Sequence, residues 1–294
     1  GTVVGGDGSD EIAFTTTSGD DVVDVTFPLV TRNGVVTKYD DIDTLSFALL
    51  GGSDDVEIIL AGSGFPSAVN VLTGEGEDVV EVDVKAATPS AGSETSVRSA
   101  ITIDGGAGIE DSVTIYGTSA ADVFGLDGSE VSFGETAVDL VAVESLAILG
   151  LGGDDALSAE AVTFSGSVLL DGGEGIDSIA FAYPHAASGV TIRGGGNAAD
   201  ELAVTLSDSN EVVVLTDTHL EVSGSNGVVY TGFGSVQLNT MGGNDEVNVK
   251  STHAGTTELN TNAGNDTVTL ETISGNTTVN TAAGSDTVNI RTIA

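Results

Sequence analysis

The chain lacks cysteine and tryptophan altogether and holds only 4 prolines, 4 tyrosines and 1 methionine in 294 residues. Without cysteine there can be no disulfide framework and no thiolate metal site, so stability must come from another source; a secreted protein held by something else remains compatible. Aromatic residues make up only 4 % of the chain, so a core has to be built from Val, Ile, Leu and Ala and has to be thin. Basic residues are scarce too: 7 Lys and Arg face 45 Asp and Glu, a formal net charge of −38. That balance argues against binding nucleic-acid backbones or anionic membranes and favours cations or basic partners. No stretch approaches the roughly 18 consecutive apolar residues of a membrane span. Helix signals are nearly absent. No signal peptide is visible, and because the chain opens at Gly1 within a repeat, it reads as a processed product or a piece of a longer array.

What the chain has in abundance is glycine, 41 residues, and a recurring acid. An Asp followed two residues later by an aliphatic or aromatic residue stands at Asp10, Asp21, Asp54, Asp78, Asp111, Asp122, Asp155, Asp177, Asp200, Asp245, Asp266 and Asp286. The late copies read Met-Gly-Gly-Asn-Asp245-Glu-Val-Asn-Val, Asn-Ala-Gly-Asn-Asp266-Thr-Val-Thr-Leu and Ala-Ala-Gly-Ser-Asp286-Thr-Val-Asn-Ile, spaced by 21 and 20 residues. Alternation such as Val247-x-Val249 and Val268-x-Leu270 has the period of a strand, and Gly, Asn and Asp punctuate at short intervals. Hairpin architectures would not return the same residue to the same phase of every turn. The expectation is therefore an all-β chain, a parallel β-helix (β-solenoid) with about 22 residues per turn.

A second pattern sets a larger unit. Tyr39-x-x-Ile42-x-Thr44-Leu45-x-Phe47, Leu140-x-x-Val143-x-Ser145-Leu146-x-Ile148 and Tyr230-x-x-Phe233-x-Ser235-Val236-x-Leu238 each begin 15 residues before an Asp, namely Asp54, Asp155 and Asp245. They divide the chain into modules 1–121, 122–199 and 200–294 of one continuous rod, the first with excursions at 28–38 and 85–100. Asn239, Asn260 and Asn280 share a phase, which fits either a stacked amide ladder or residues that merely favour the turn backbone.

Equivalent acids stacked in one column would repel by about 1 kcal/mol per pair in water and by more when desolvated. Calcium, which takes oxygen ligands from carboxylates and from carbonyls exposed in Gly-rich turns, is one answer. Asp capping the turn backbone is the other. The positions expected to serve calcium are Asp54 with Asp55, Asp154 with Asp155, Asp104 with Glu110 and Asp111, Asp171 with Asp177, and Asp78, together with Asp245, Asp266 and Asp286 of the last module.

Gly172-Gly-Glu-Gly-Ile-Asp177-Ser-Ile and Gly105-Gly-Ala-Gly-Ile-Glu-Asp111 resemble the Gly-Gly-x-Gly-x-Asp-x-apolar-x repeat of the hemolysin-type (RTX) calcium-binding family. The unit from Gly117-Thr-Ser-Ala-Ala-Asp122 through Val143-Glu-Ser-Leu-Ala-Ile to Gly152-Gly-Asp-Asp155 resembles modules of very large bacterial extracellular β-strand-repeat proteins, and this similarity spans essentially the whole chain. The resemblance implies secretion or a cell-surface location, calcium-dependent folding and a structural or adhesive role. RTX repeats follow every nine residues, whereas single turns here recur at about 22, so ion stoichiometry does not transfer.

Arg32 and Lys38 in the first excursion and Lys85 and Arg98 in the second hold four of the seven bases, which suggests self-association, head-to-tail or lateral, on the acidic face of a neighbour. Solvated loops are the alternative. No Ser/His/Asp set, phosphate loop or helical His-Glu motif appears. His185, His219 and His253 occupy different phases, and Arg193 stands alone beside a Gly-rich turn. A non-enzymatic structural element of a surface layer, fibre or adhesin stalk is the reading, and a β-helix enzyme or binding module acting on extracellular polysaccharide is the alternative.

Overall fold

The computed structural model describes residues 1–61, 65–84, 99–108 and 110–291. Lys85 and Arg98, and with them nearly all of the second excursion, lie outside the described residues. The described chain is all-β, with 29 strands in two long and mostly parallel sheets and no helix. It divides into two units, Gly1–Thr118 with Ser129–Leu149, and Ser119–Gly128 with Gly150–Ala294.

In the first unit one sheet runs in parallel through Val22–Thr26, Asp55–Ile59, Val79–Asp83, Ser112–Tyr116 and Ser145–Leu149. The facing sheet runs through Glu11–Thr15, Thr44–Ala48, Ala68–Leu72, Ala100–Asp104 and Thr136–Val141. Consecutive strands alternate between the sheets, so the chain coils. Because side chains alternate along a strand, register puts Val23, Val56, Val80, Val113 and Leu146 in one inward row, with Val25, Ile58, Val82, Ile115 and Ile148 in the next. All ten are at most 2 % exposed. The opposite rows, Leu45, Val69, Ile101 and Val138 and then Phe47, Val71, Ile103 and Leu140, complete a core about two side chains thick. β-Branched residues dominate because one preferred rotamer suits a ladder of identical neighbours. Full burial of each contributes about 1.5–3 kcal/mol.

The second unit repeats the plan. One sheet passes through Val123–Asp127, Ala156–Glu160, Ser178–Ala182, Glu201–Thr205, Ser235–Asn239, Thr256–Asn260 and Asn276–Asn280. The other carries Ser167–Asp171, Gly189–Arg193 and Val228–Thr231, and also Val212–Leu215, Glu246–Val249, Thr267–Leu270 and Thr287–Ile290.

Bare coils take 24 residues (Asp55 to Val79), 22 (Ala156 to Ser178), 23 (Ser178 to Glu201), 21 (Glu246 to Thr267) and 20 (Thr267 to Thr287). The 33-residue step from Val22 to Asp55 has a structural cause. Leu29–Arg32 and Val35–Asp40, most of the first excursion, are not a loop leaving the solenoid but antiparallel strands that widen the sheet. His219–Val222 likewise lies antiparallel between Val212–Leu215 and Val228–Thr231, and Glu130–Phe133 antiparallel to Thr136–Val141. Among the described residues parallel pairing is thus the rule, interrupted by antiparallel pairs at three insertions.

These insertions explain the 15-residue motif. Tyr39, Leu140 and Tyr230 lie in the strand that closes an insertion, and Leu45, Leu146 and Val236 begin the inward row of the strand that resumes the coil. In the first unit the Thr44–Ala48 and Ser145–Leu149 copies belong to different sheets, so the motif marks a position in the coil rather than one face.

Ile115 is fully buried, while Thr114 beside it faces outward. Ile115→Ala is expected to lower unfolding stability by about 2–5 kcal/mol, and Thr114→Ala to stay within about 0.5 kcal/mol of the parent, both read from denaturant midpoints.

Candidate functional site

A coil that turns from one sheet into the other leaves the N–H of the residue just before the new strand without a sheet acceptor. In this chain that residue is the recurrent Asp. Its N–H donates to the side chain of the equivalent residue one coil further on. Asp21 donates to Asp54 Oδ1 at 2.8 Å, Asp54 to Asp78 at 2.8 Å, Asp78 to Asp111 at 3.0 Å and Asp111 to Glu144 Oε2 at 3.0 Å. A second run links Asp122 to Asp155 at 2.7 Å, Asp155 to Asp177 at 2.9 Å and Asp177 to Asp200 at 3.1 Å. The third links Glu211 to Asp245, Asp245 to Asp266 and Asp266 to Asp286 at 2.9–3.0 Å. The Asp carbonyl closes the clamp by accepting from the residue after the next Asp, as in Asp55 to Asp21, Val79 to Asp54 and Ser178 to Asp155. Charge-assisted bonds of this kind are worth about 1.5–3 kcal/mol each.

The acids therefore do not form the single column expected from their phase. In the second unit the run ending at Asp200 precedes one sheet and the run ending at Asp286 the other. In the first unit, Asp10 donates to Asp43 Oδ2 at 2.9 Å in a short separate run before the second sheet. Each new run begins just before an insertion, Asp122 before Glu130–Phe133 and Glu211 before His219–Val222, and the ladder bond itself spans the insertion within one run.

The residue preceding the ladder Asp works in the opposite direction. Asp20, Asp154, Asn210, Asn244 and Asn265 accept through Oδ1 from the backbone N–H of the following coil, at Ser53, Ile176, Asn244, Asn265 and Ser285 respectively. Asp154 and Asp155 consequently reach along opposite directions of the stack and do not converge on one ion. Asp55 and Glu110 are exposed. Asp104 caps its own turn at Gly106 N, and Asp171 pairs with Arg193 at 3.5 Å. Asp54, Asp78, Asp111, Asp155, Asp177, Asp245 and Asp266 are buried in the runs, and Asp286 is half-buried at the end of the third. Among the described residues no three Asp, Glu or His side chains gather where a metal ion could sit.

Glu144 and Glu211 fill ladder positions that an Asp-only pattern misses. The signal was present: each is an acid followed two residues later by an apolar inward residue, Leu146 and Val213. Asn239, Asn260 and Asn280 do form an amide ladder, with Asn260 Nδ2 donating to Asn239 Oδ1 at 2.9 Å and Asn280 to Asn260 at 2.8 Å. The three His residues share no site. His185 packs on Phe181 and Tyr183, whereas His219 and His253 lie beside Thr218 and Thr257.

Oδ1 is satisfied along the runs; Oδ2 is not. Asp21, Asp54, Asp78, Asp111, Asp155, Asp177 and Asp266 each keep a buried Oδ2 with no partner. Burial pushes Asp155 up to about 6, helped by the charges of Asp122, Asp177 and Asp154 and opposed by the bond from the Asp122 N–H. Burial also raises Asp54, Asp111 and Asp177, with neighbouring ladder acids adding to it. In the third run Thr240 donates to Asp245 Oδ2 at 2.5 Å.

The glycines follow from this stacking. A Cβ on Gly284 (φ +150°) would come within 1.4 Å of the Gly264 carbonyl oxygen, so the turn two residues before the Asp has no room for a side chain. A Cβ on Gly150 would meet Asp155 Oδ2 at 2.2 Å and the Gly172 oxygen at 2.4 Å.

Gly150→Ala is accordingly expected to destabilise the protein by about 1–3 kcal/mol, whereas Gly189→Ala, with nothing within 4 Å of its added methyl, should be tolerated. Thr240→Val, which strands Asp245 Oδ2, should cost about 1–3 kcal/mol. Denaturant titration of the three variants checks both.

No family model matches the chain, and no curated protein matches it.

Proposed function

We propose that the protein is a structural, secreted or cell-surface β-solenoid whose task is mechanical: it forms or extends an extracellular layer, fibre or adhesin stalk. The observation that carries this reading is the repeated carboxylate clamp, which joins coil to coil with the same chemistry in run after run. A catalytic site concentrates unlike groups at one place. Here the acids are distributed by the repeat, and four of the five described Lys and Arg residues are engaged away from the ladder: Arg32 donates to Thr15 O, Arg193 pairs with Asp171, and Lys250 and Arg291 share Glu271. An array of this kind resists extension because adjacent coils are held by sheet ladders and by side-chain clamps together.

A formal charge of −38 makes self-repulsion the main cost of keeping such coils stacked. Calcium serves in this proposal as the counterion of the exposed acids, stabilising the folded array by preferential binding. Self-association, with Arg32 and Lys38 against the acidic surface of another copy, extends the array.

Thermal melting with calcium and then with excess EGTA, followed by electron microscopy of the calcium-loaded sample, tests the reading. Calcium should raise Tm and promote elongated or layered assemblies, and replacing any single exposed acid should leave both nearly unchanged. Calcium-independent melting with monomers at every concentration, or turnover of an acidic polysaccharide abolished by one acid substitution, would overturn it.

A further inference from the structure

Arg193 is the only Lys or Arg between residues 99 and 249, and its guanidinium pairs with Asp171 at 3.5 Å. It opens the turn Gly194-Gly-Gly, whose counterpart in the first unit is the turn Gly105-Gly-Ala after Asp104. Gly105 N donates to Val141 O and Gly194 N to Thr231 O, each at 3.0 Å. A Cβ on Gly106 would collide with Gly74 O, and one on Gly195 with Gly173 O. The turns differ in their acceptors. In the first unit Asp104 Oδ1 accepts from Gly106 N at 3.0 Å, and Gly74 O accepts from Ala107 N at 2.8 Å. In the second, Arg193 stands at the position of Asp104, and neither Gly195 N nor Gly196 N has an acceptor among the described residues. The exchange removes a carboxylate acceptor and sets a cation on the same turn. Arg193, Gly195 and Gly196 line one open groove of about 530 Å³, which Asp171, Glu174 and Gly232 also border. A Cβ on Gly232 would stand 3.1 Å from both Gly195 N and Gly196 N, so the two nitrogens converge on one point. Successive backbone N–H groups gathered in this way make an anion-binding concavity. Asp171 and Glu174 oppose a bare anion, yet as acceptors they suit hydroxyl groups.

We propose that this groove binds a sugar acid, a uronic-acid residue of an acidic polysaccharide. Its carboxylate accepts from Gly195 N, Gly196 N and Arg193, and its ring hydroxyls donate to Asp171 and Glu174. Arg193 suits the role because a guanidinium fork pairs with a carboxylate, and its side chain is 53 % exposed, which leaves donors beyond the Asp171 contact. A second copy of the chain is the poorer ligand. It carries the same net charge of −38, and an acidic side chain brings no ring of hydroxyls to Asp171 and Glu174. Binding alters no covalent bond, and it depends neither on calcium nor on the mechanical role proposed above.

Sodium glucuronate, glucose and acetate, titrated separately into the full isotope-labelled chain in EGTA at constant ionic strength, test this through the NMR amide signals of Gly195 and Gly196. Glucuronate should shift both signals and bind more tightly than acetate or glucose. Arg193→Gln should weaken glucuronate binding roughly tenfold or more, and Arg193→Asp, which installs the first-unit residue, should abolish it. Glu174→Ala separates the two halves of the recognition: it should weaken glucuronate, by removing a hydroxyl acceptor, and strengthen acetate, by removing a repelling charge. If a variant does not fold, the three titrations of the parent decide alone. Glucuronate that leaves both signals unmoved, or acetate or glucose that binds as tightly, overturns the proposal. Shifts of the two signals with protein concentration alone would assign the groove to an acid of a second copy and overturn it as well. Melting and microscopy, which test the mechanical role, are read separately, so either reading can fail without the other.

Discussion

The structure depends on one hydrogen bond repeated in series: the N–H of an Asp at the entrance to a strand donates to the carboxylate of the matching residue one coil later. A coil built from two parallel sheets has no backbone acceptor for that N–H, because the chain at this point is changing sheets. A short acidic side chain from the next coil fills the need and leaves room for the turn. Asp suits the distance, and Glu144 and Glu211 show that the longer acid also serves. The requirement propagates outward. The turn must pass so close to its neighbour that Gly264 and Gly284 cannot carry a Cβ, and Gly150 must stay bare because a carboxylate oxygen occupies the place of its side chain.

The same bond creates the molecule's chemical problem. It uses one oxygen of each carboxylate and carries the other into the interior, where neighbouring ladder positions supply more acids and no bases. Thr240 relieves the problem at Asp245 through its hydroxyl; the Gly-lined positions have no such device. Asp20 and Asp154, which precede ladder residues, point the opposite way along the stack.

The sequence carried much of this. The phase of Asp54, Asp78, Asp111, Asp155, Asp177, Asp245 and Asp266 identified the ladder positions, and strand-period alternation identified the parallel coil and its inward rows. The amide ladder of Asn239, Asn260 and Asn280 was legible as one of two outcomes. What could not be read was direction. Asp154 and Asp155 are adjacent in sequence and look like a chelating pair, yet one serves the following coil and the other the preceding one. Nor did spacing reveal that residues 28–38 would pair in antiparallel fashion within the sheet, because a 33-residue interval is equally compatible with a loop. The change of run beside the insertions at Glu130–Phe133 and His219–Val222 was hidden as well.

Amide hydrogen exchange at the ladder residues tests the central claim most directly, since protection reports whether the N–H is held until large-scale opening. The N–H groups of Asp54, Asp155 and Asp245 should exchange as slowly as those of the inward strand residues Ile58, Leu157 and Val247. Exchange at the rate of exposed turn amides would show that the carboxylates do not hold the coils together.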